Sequence, residues 1–383
     1  MGNHSTHEKV SEAGSGSNSP RGSTRGSRSG SGDLQGQQEK PEPQHASLVP
    51  VEKLGKLLAQ RSQKEDGING VTEKSFTKYL FPKYPELARQ FYNYIHKTGK
   101  CKNKHIPLSA FRQQCEKILA MLDDTAIIDT YVRMFSSDPN ESTVTTDDFK
   151  SLLYVSYKLA MDHYPDGPQT DFMIETTLRA VVRGCFNNAE SHSVGFVVRW
   201  VGEHCHRLVS PVHRYCVHML ATRHRDVETL ADDRALELGT PVLERAAWAG
   251  AALRPAAAWL LAAAAPPLYS RPLKPPSQPH PGGTSASAAW LARLVCALPS
   301  HWAPLYASRE HGLGVNRFLH HTLNYRGPTL VVLEGDTGSD AGDRSDRNDR
   351  VTLVVCSPQE WRDTHTYWGG ADCALVQLAP FTI

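Results

Sequence analysis

From Val51 onward apolar residues recur at helical spacing, and three pairs keep a common phase: Val71 with Phe76, Ile106 with Phe111, and Val144 with Phe149. The members of each pair stand five residues apart. The pairs repeat after 35 and 38 residues (71 to 106, 106 to 144), a length that suits helix-loop-helix units. Residues 50–165 are therefore expected to be a helical region built from such units. A helical connector over 166–265 follows, marked by Leu178, Val181 and Val182 and then by Val197, Val198, Trp200 and Val201, with Pro211 dividing its second stretch. Prolines at 266, 267, 272, 275, 276, 279 and 281, ending at Gly282 and Gly283, read as a linker over 266–285. Residues 286–383 then mix an amphipathic helix with Val/Leu-rich strands, so the predicted fold class is α+β.

The phase of the three pairs fits that of an EF-hand, with a helical repeat unrelated to EF-hands as the alternative. There the eighth loop residue is β-branched and pairs with a partner loop, while an aromatic packs the exiting helix. The ligand positions do not follow. Counted back from Val144, loop positions one, three, five, six and twelve hold Ser137, Pro139, Glu141, Ser142 and Asp148; counted from Ile106 they hold Gly99, Cys101, Asn103, Lys104 and Ala110. The first loop has Lys64 at position one and Ser75 at twelve. Calcium needs several oxygen ligands and a bidentate acid at twelve, so a scaffold that has lost its ion is expected. A second cluster, His204, Cys205, His206, His213, Cys216 and His218, has zinc-ligand chemistry but no closed-site spacing; a packed helix with a wet histidine edge is expected.

Composition limits the remaining readings. With 42 basic and 40 acidic residues the net charge is +2, too small for a general field that gathers nucleic acid. The longest apolar stretch, 246–268, is mostly alanine and is interrupted by Arg254 and Pro255, a poor membrane span. The eight cysteines lie in a chain with no apolar leader at its start and are expected to be reduced thiols. The start itself, Met1-Gly2-Asn3-His4-Ser5-Thr6, fits the pattern for myristoylation of Gly2. A polar, Gly/Ser-rich tether over 1–49 follows, whose Lys9, Arg21, Arg25 and Arg28 are opposed by Glu8 and Glu12. One acyl chain binds membranes only marginally, so a second attachment is required.

The C-terminal segment carries a more specific pattern. Leu305, Tyr306, Ser308, Glu310, His311 and Gly312 form a turn; the helix from Val315 follows, then Gly327-Pro328 leads into a Val/Leu strand. Trp361, the turn Tyr367-Trp368-Gly369-Gly370 and a closing strand over 371–378 complete the order. This series resembles the opening of a TLDc domain. The Met-Gly start, the EF-hand-like region, His213-Arg214-Tyr215, and Trp259-Leu260-Leu261 followed by 266–270 are similar to the myristoylated, lysosomal, mTOR-associated branch of that family. The resemblance implies an antiparallel β-sandwich with flanking helices, here cut short, with Leu353, Val354, Val355, Leu375 and Val376 exposed by the missing strands. The loop 335–350, with Asp336, Asp340, Asp343, Asp346 and Asp349 set among Arg344, Arg347 and Arg350, neutralises itself and is expected to be a solvated hairpin loop.

For function, the sequence has no phosphate-binding glycine loop, nucleophile elbow or metal helix. The expectation is a non-enzymatic adaptor or regulator without cofactor, nucleic acid or small-molecule substrate, attached through Gly2 to the cytosolic face of the lysosomal membrane, with a cytosolic pool. The resemblance implies V-ATPase and mTOR-pathway proteins as partners. Two alternatives stand beside it: an oxidation-resistance factor, which as a redox enzyme would need an exposed low-pKa thiol, and a calcium-responsive sensor.

Overall fold

The computed structural model describes residues 49–164, 172–225, 240–243, 253–270, 301–336 and 350–379. The expected tether 1–49 with Gly2, the proline-rich segment from 271, the start of the C-terminal region at 286–300 and the acidic loop at 337–349 lie outside these residues, apart from Val49.

Nine helices of the described residues form one helical body: α1 (Val49–Asp66), α2 (Glu73–Leu80), α3 (Pro85–Thr98), α4 (Leu108–Ala120), α5 (Asp124–Phe135), α6 (Thr146–Met161), α7 (Phe172–Phe186), α8 (Val194–His204) and α9 (Ser210–Thr222). Their ends follow local chemistry. The Thr72 hydroxyl accepts the Ser75 N–H at the start of α2, Asp123 accepts Ala126 N–H at 2.8 Å before α5, and Thr145 and Asp148 form a reciprocal capping box on α6. Pro85 and Pro211 each sit in a first turn, where no N–H is needed. The second stretch thus breaks between α8 and α9, just ahead of Pro211.

The helices pair through their loops. Val71 and Ile106 form an antiparallel bridge between the loops of α1–α2 and α3–α4. Two short strands, β1 (Thr143–Thr145) and β2 (Ser191–Ser193), join the loops of α5–α6 and α7–α8 antiparallel, with Val144 opposite His192. There are accordingly four helix-loop-helix units, and α7–α8, read from the sequence as part of a connector, is the fourth. His192 explains the difference: an imidazole stands where the other loops have Val or Ile, its ring packed on Phe196 at 4.2 Å and Phe186 at 5.3 Å. Phe76, Phe81, Phe91, Phe111, Tyr131, Phe149 and Tyr157 are fully buried in the common core.

The C-terminal part is an antiparallel sheet of β5 (Thr329–Asp336), β6 (Arg350–Ser357) and β7 (Ala374–Ala379), in that order, preceded by a two-residue parallel pairing of β3 (Val242–Leu243) with β4 (His301–Trp302). In register, Leu330 faces Cys356, Val332 faces Val354, and Val354 faces Val376; the alternate residues Val331, Val355 and Leu375 align on the opposite face.

Helix α10 (Pro255–Ala264) joins the two parts. Ala256, Trp259, Leu260 and Ala263 pack into the helical body, with Trp259 edge-on to Tyr157 at 5.5 Å. Ala258, Leu261 and Ala265 pack with Val354, Cys356 and Tyr269 beneath the sheet. Both faces are covered, which is why this segment lacks a polar stripe. The reading of 266–285 as linker needs amendment at its start: Pro267–Tyr269 is a 3-10 turn whose Tyr269 is buried and donates to the Asp372 carbonyl at 2.9 Å. The expectation that Val354 and Val376 are exposed is also corrected, since α10 covers that face: Val354 is fully buried and Val376 half-buried, whereas Leu333 and Leu375 on the other face are 50% and 67% exposed. The described fold is mixed helix and sheet with no second sheet packed on β5–β7 among the described residues.

Candidate functional site

The loops of the helical body are where an ion would sit if this scaffold held one, and their carboxylates are committed to the chain's own donors. In the loop between α5 and α6, Asp138 accepts the Ser142 N–H (2.9 Å) and hydroxyl (2.6 Å), the Asn140 N–H (3.0 Å), and the Thr143 N–H (3.1 Å) and hydroxyl (3.2 Å). These bonds, the Ser142 hydroxyl first, hold its carboxyl well below the usual carboxylate range. Glu141 is ion-paired with Lys97 at 3.0 Å, and Asp148 accepts from the Ser137 hydroxyl and Thr145 N–H, both at 3.0 Å. In the first loop, Asp66 is bound by Lys74 and Thr72 at 3.0 Å, and Glu65 by Lys78 and Tyr79. Counted back from His192, the fourth loop puts Cys185, Asn187, Ala189 and Phe196 at positions one, three, five and twelve. Hydrogen bonds and lysines thus do the bracing that an ion performs in a calcium loop.

The second loop is built differently. Gly99 ends α3; Lys100 follows with φ +49°, Lys100 N–H donates to Lys97 O at 2.9 Å and Cys101 N–H to His96 O at 3.0 Å. His96 Nε2 donates to the Asn103 carbonyl at 2.5 Å, and the Tyr92 hydroxyl lies 3.1 Å from both Lys104 O and Val71 O. The backbone is pinned while Lys100, Lys102 and Lys104 are exposed.

The histidine and cysteine cluster does not converge. Among the described residues no three His, Cys, Asp or Glu side chains are placed to hold a metal ion. The expected wet edge is corrected for His213, which is 3% exposed, 3.3 Å from the Tyr131 hydroxyl through Nδ1, and lowered by burial to about 4. Burial pushes the thiols of Cys185 and Cys216 up to about 12 and that of Cys356 to about 11, and raises those of Cys115 and Cys205 as well. A thiol moved in this direction is a poor nucleophile.

The C-terminal motif residues form a connected aromatic arrangement. Short helices α11 (Ser308–His311) and α12 (Val315–Thr322) bracket Gly312, whose φ of +82° ends α11 in a conformation that favours glycine. His311 Nδ1 accepts the Ala307 N–H at 3.0 Å, and the Tyr306 hydroxyl donates to the Gly312 carbonyl. Tyr306 stacks on His311 and meets Phe318 edge-on at 5.4 Å; Phe318 meets Trp361 at 5.1 Å, and Trp361 meets Trp368 at 5.5 Å. The Trp361 indole N–H donates to Thr329 Oγ1 at 2.9 Å, tying the chain to the start of β5. His321 approaches His311 to 4.0 Å between ring centres; burial and then His311 hold it below its ordinary pKa.

Tyr306, His311, Gly312 and Trp361 are thus brought together. Leu305 is half-buried, Ser308 opens α11, and Glu310 is exposed and joins no ion pair among the described residues. Gly327 sits against Tyr325, whose hydroxyl would lie 2.6 Å from an added Cβ, and the Gly369 carbonyl accepts from Gln359 at 3.3 Å. Phe318 and Thr329 were not singled out from the sequence, although Phe318 lies three residues into an amphipathic helix and its side was legible. An open groove of about 390 Å³ runs along Val355, Ser357, Trp361, Trp368, Cys373 and Leu375. The arrangement is a packing junction between a turn, a helix and a strand, built of aromatic contacts and capped backbone groups.

Residues 286–383 match the family model of the TLDc domain, so α11, α12 and β5 to β7 all lie within the matched span. Two fungal proteins described as "Restriction of telomere capping protein 5" are similar over a short stretch. The one from Ajellomyces capsulatus is 26% identical over 68 residues, 18% of this chain and 9% of that protein. The one from Paracoccidioides lutzii is 28% identical over 64 residues, 17% of this chain and 9% of that protein. The alignment spans 9% of the length of these curated relatives and does not transfer a role. The C-terminal part of this chain carries a TLDc domain.

Proposed function

We propose that the protein is a non-catalytic adaptor or regulator held at the cytosolic face of a membrane by a myristoyl group on Gly2, with an EF-hand-like helical scaffold bearing its TLDc domain. The observation that carries the scaffold reading is the loop between α5 and α6. Asp138 already accepts five hydrogen bonds, Glu141 holds Lys97, and Asp148 closes a cap, so the loop is locked without an ion. A calcium sensor needs the opposite, carboxylates left open until the ion arrives. The raised thiols of Cys115, Cys185 and Cys216 are buried and poor nucleophiles, which favours regulation by binding, and Cys373, just before β7, is the exposed thiol of the described residues. The lysosomal membrane, V-ATPase and mTOR-pathway proteins are the location and partners that the resemblance of the sequence supports.

The membrane reading is tested by expressing the full chain and its Gly2→Ala variant with an alkyne-tagged myristate. Wild type is expected to incorporate the label and to fractionate with membranes, and the variant to lose the label and most of its membrane fraction. Equal membrane recovery of the two proteins would overturn the lipid tether.

A further inference from the structure

Six of the thirteen lysines in the described helical body are held in ion pairs. Lys56, Lys74, Lys78, Lys83, Lys97 and Lys150 each lie within 4 Å of a carboxylate oxygen, against Glu52, Asp66, Glu65, Asp162, Glu141 and Glu175 respectively. Three of the seven lysines without an ion pair among the described residues are gathered in the loop between α3 and α4. Lys100, Lys102 and Lys104 occupy every second position of five residues, all three are exposed, and none has an ion pair among the described residues. In the neighbouring loop between α5 and α6, the Asp138 carboxylate is held by donors of its own loop and Glu141 is ion-paired with Lys97, whose ammonium also donates to the Asp138 backbone carbonyl at 3.3 Å. Four backbone hydrogen bonds, two of them from buried or half-buried Tyr92 and His96, fix the loop that presents these charges. Such a loop presents three full positive charges on a backbone already ordered, so binding costs little further conformational entropy.

We propose that this lysine loop is a contact for an anionic bilayer surface, the second attachment that a single acyl chain requires. The choice of a bilayer over an acidic peptide or RNA rests on the Gly2 reading above, because one myristoyl group binds only marginally and a basic element beside it makes attachment stable. The loop's lysines are also exposed at 102 and 104 on either side of the exposed Asn103, with no aromatic side chain between them on which a base would stack. Headgroup phosphates and carboxylates on a flat surface match charges that are displayed outward.

The test uses the full chain made without a myristoyl transferase, so that acylation contributes nothing and failure of the Gly2 reading cannot be mistaken for failure of this one. Binding is measured by co-sedimentation with phosphatidylcholine vesicles and with the same vesicles containing phosphatidylserine. The Lys100→Gln/Lys102→Gln/Lys104→Gln variant is compared with Lys53→Gln/Lys64→Gln/Lys117→Gln, which removes the same charge from exposed lysines elsewhere on the helical body. Wild type is expected to bind only the anionic vesicles, more weakly as salt rises. The loop variant should lose roughly a hundredfold in partition coefficient, since each lysine near an anionic surface contributes about fivefold, and the scattered variant severalfold at most. Circular dichroism of both variants checks that the helices persist, and the loop variant that keeps its helices yet binds as wild type overturns the proposal. So does an equal loss in the scattered variant, binding to neutral vesicles as strong as to anionic ones, or a direct affinity for RNA or polyglutamate that depends on these lysines and exceeds the affinity for the anionic vesicles.

Discussion

In the helical body α1 to α9 close on one another, so that Phe76, Phe91, Phe111, Phe149 and Tyr157 are fully buried and loops are bridged in pairs. The C-terminal sheet is covered on one side by α10, with Val354 and Cys356 buried, and leaves Leu333 and Leu375 on the other side largely exposed. The difference lies in the element that both regions share. An alanine-rich helix can be approached closely from two directions, so α10 serves as the last layer of one core and the covering layer of the other. The sheet therefore depends on the helical body for its floor, while the body has many other helices to close its core.

The largest effect follows from removing the side chain by which α10 is held. Trp259 is 2% exposed and packs edge-on against Tyr157. Trp259→Ala is expected to destabilise the chain by about 3–5 kcal/mol, as deletions of buried aromatics do. Hydrogen exchange should show β5 to β7 opening as readily as α6 does. Loss of protection confined to α6 and α7 would mean that the sheet holds its own floor, and the dependence described above would be wrong.

The second effect separates the regions by pH. His213 is buried against Tyr131 in the helical body, and burial, its largest cause, lowers its pKa to about 4. The unfolded chain takes up this proton near its usual value of about 6.5, so between pH 6.5 and 4 the unfolded state binds more protons and stability falls as pH falls. Its contribution is complete above about 6.5, and about 2 kcal/mol of it is lost by pH 5. Urea midpoints at pH 7 and pH 5 measure the loss, which His213→Gln should reduce by about this amount, the remainder belonging to His204 and His206, which burial also lowers. An unchanged pH dependence in that variant would assign the acid sensitivity to other groups.

How far these features were legible depends on whether a periodic signal survived. Val71, Ile106 and Val144 kept their phase, and the structure places them at the loop bridges. The fourth loop lost the signal because His192 replaces the β-branched residue and lies 48 residues beyond Val144 (144 to 192), outside the earlier repeat. Helix α10 was legible as a helix, but its partners were not, because a segment apolar all round gives no direction to its burial. At the C-terminal junction Tyr306, His311, Gly312 and Trp361 were named from the order of their motif, whereas the Trp361 to Thr329 hydrogen bond and the Phe318 contacts arise from tertiary packing that spacing alone does not encode.

The smallest expected effect tests the two faces of the sheet directly. Val354 and Leu375 lie on adjacent strands: Val354 pairs with Val376, one residue along from Leu375, and so points to the opposite side. Val354 is fully buried beneath α10, and truncation to alanine removes two methyl groups from a packed site, a loss of about 1.5–2 kcal/mol. Leu375 is 67% exposed, so Leu375→Ala changes stability by no more than about 0.5 kcal/mol, although it deletes a larger side chain. Urea denaturation of both variants at low protein concentration gives the comparison. If Leu375→Ala proved as costly as Val354→Ala, the outer face would be covered in solution. The contrast drawn between a closed helical body and a sheet floored on one side would then fail.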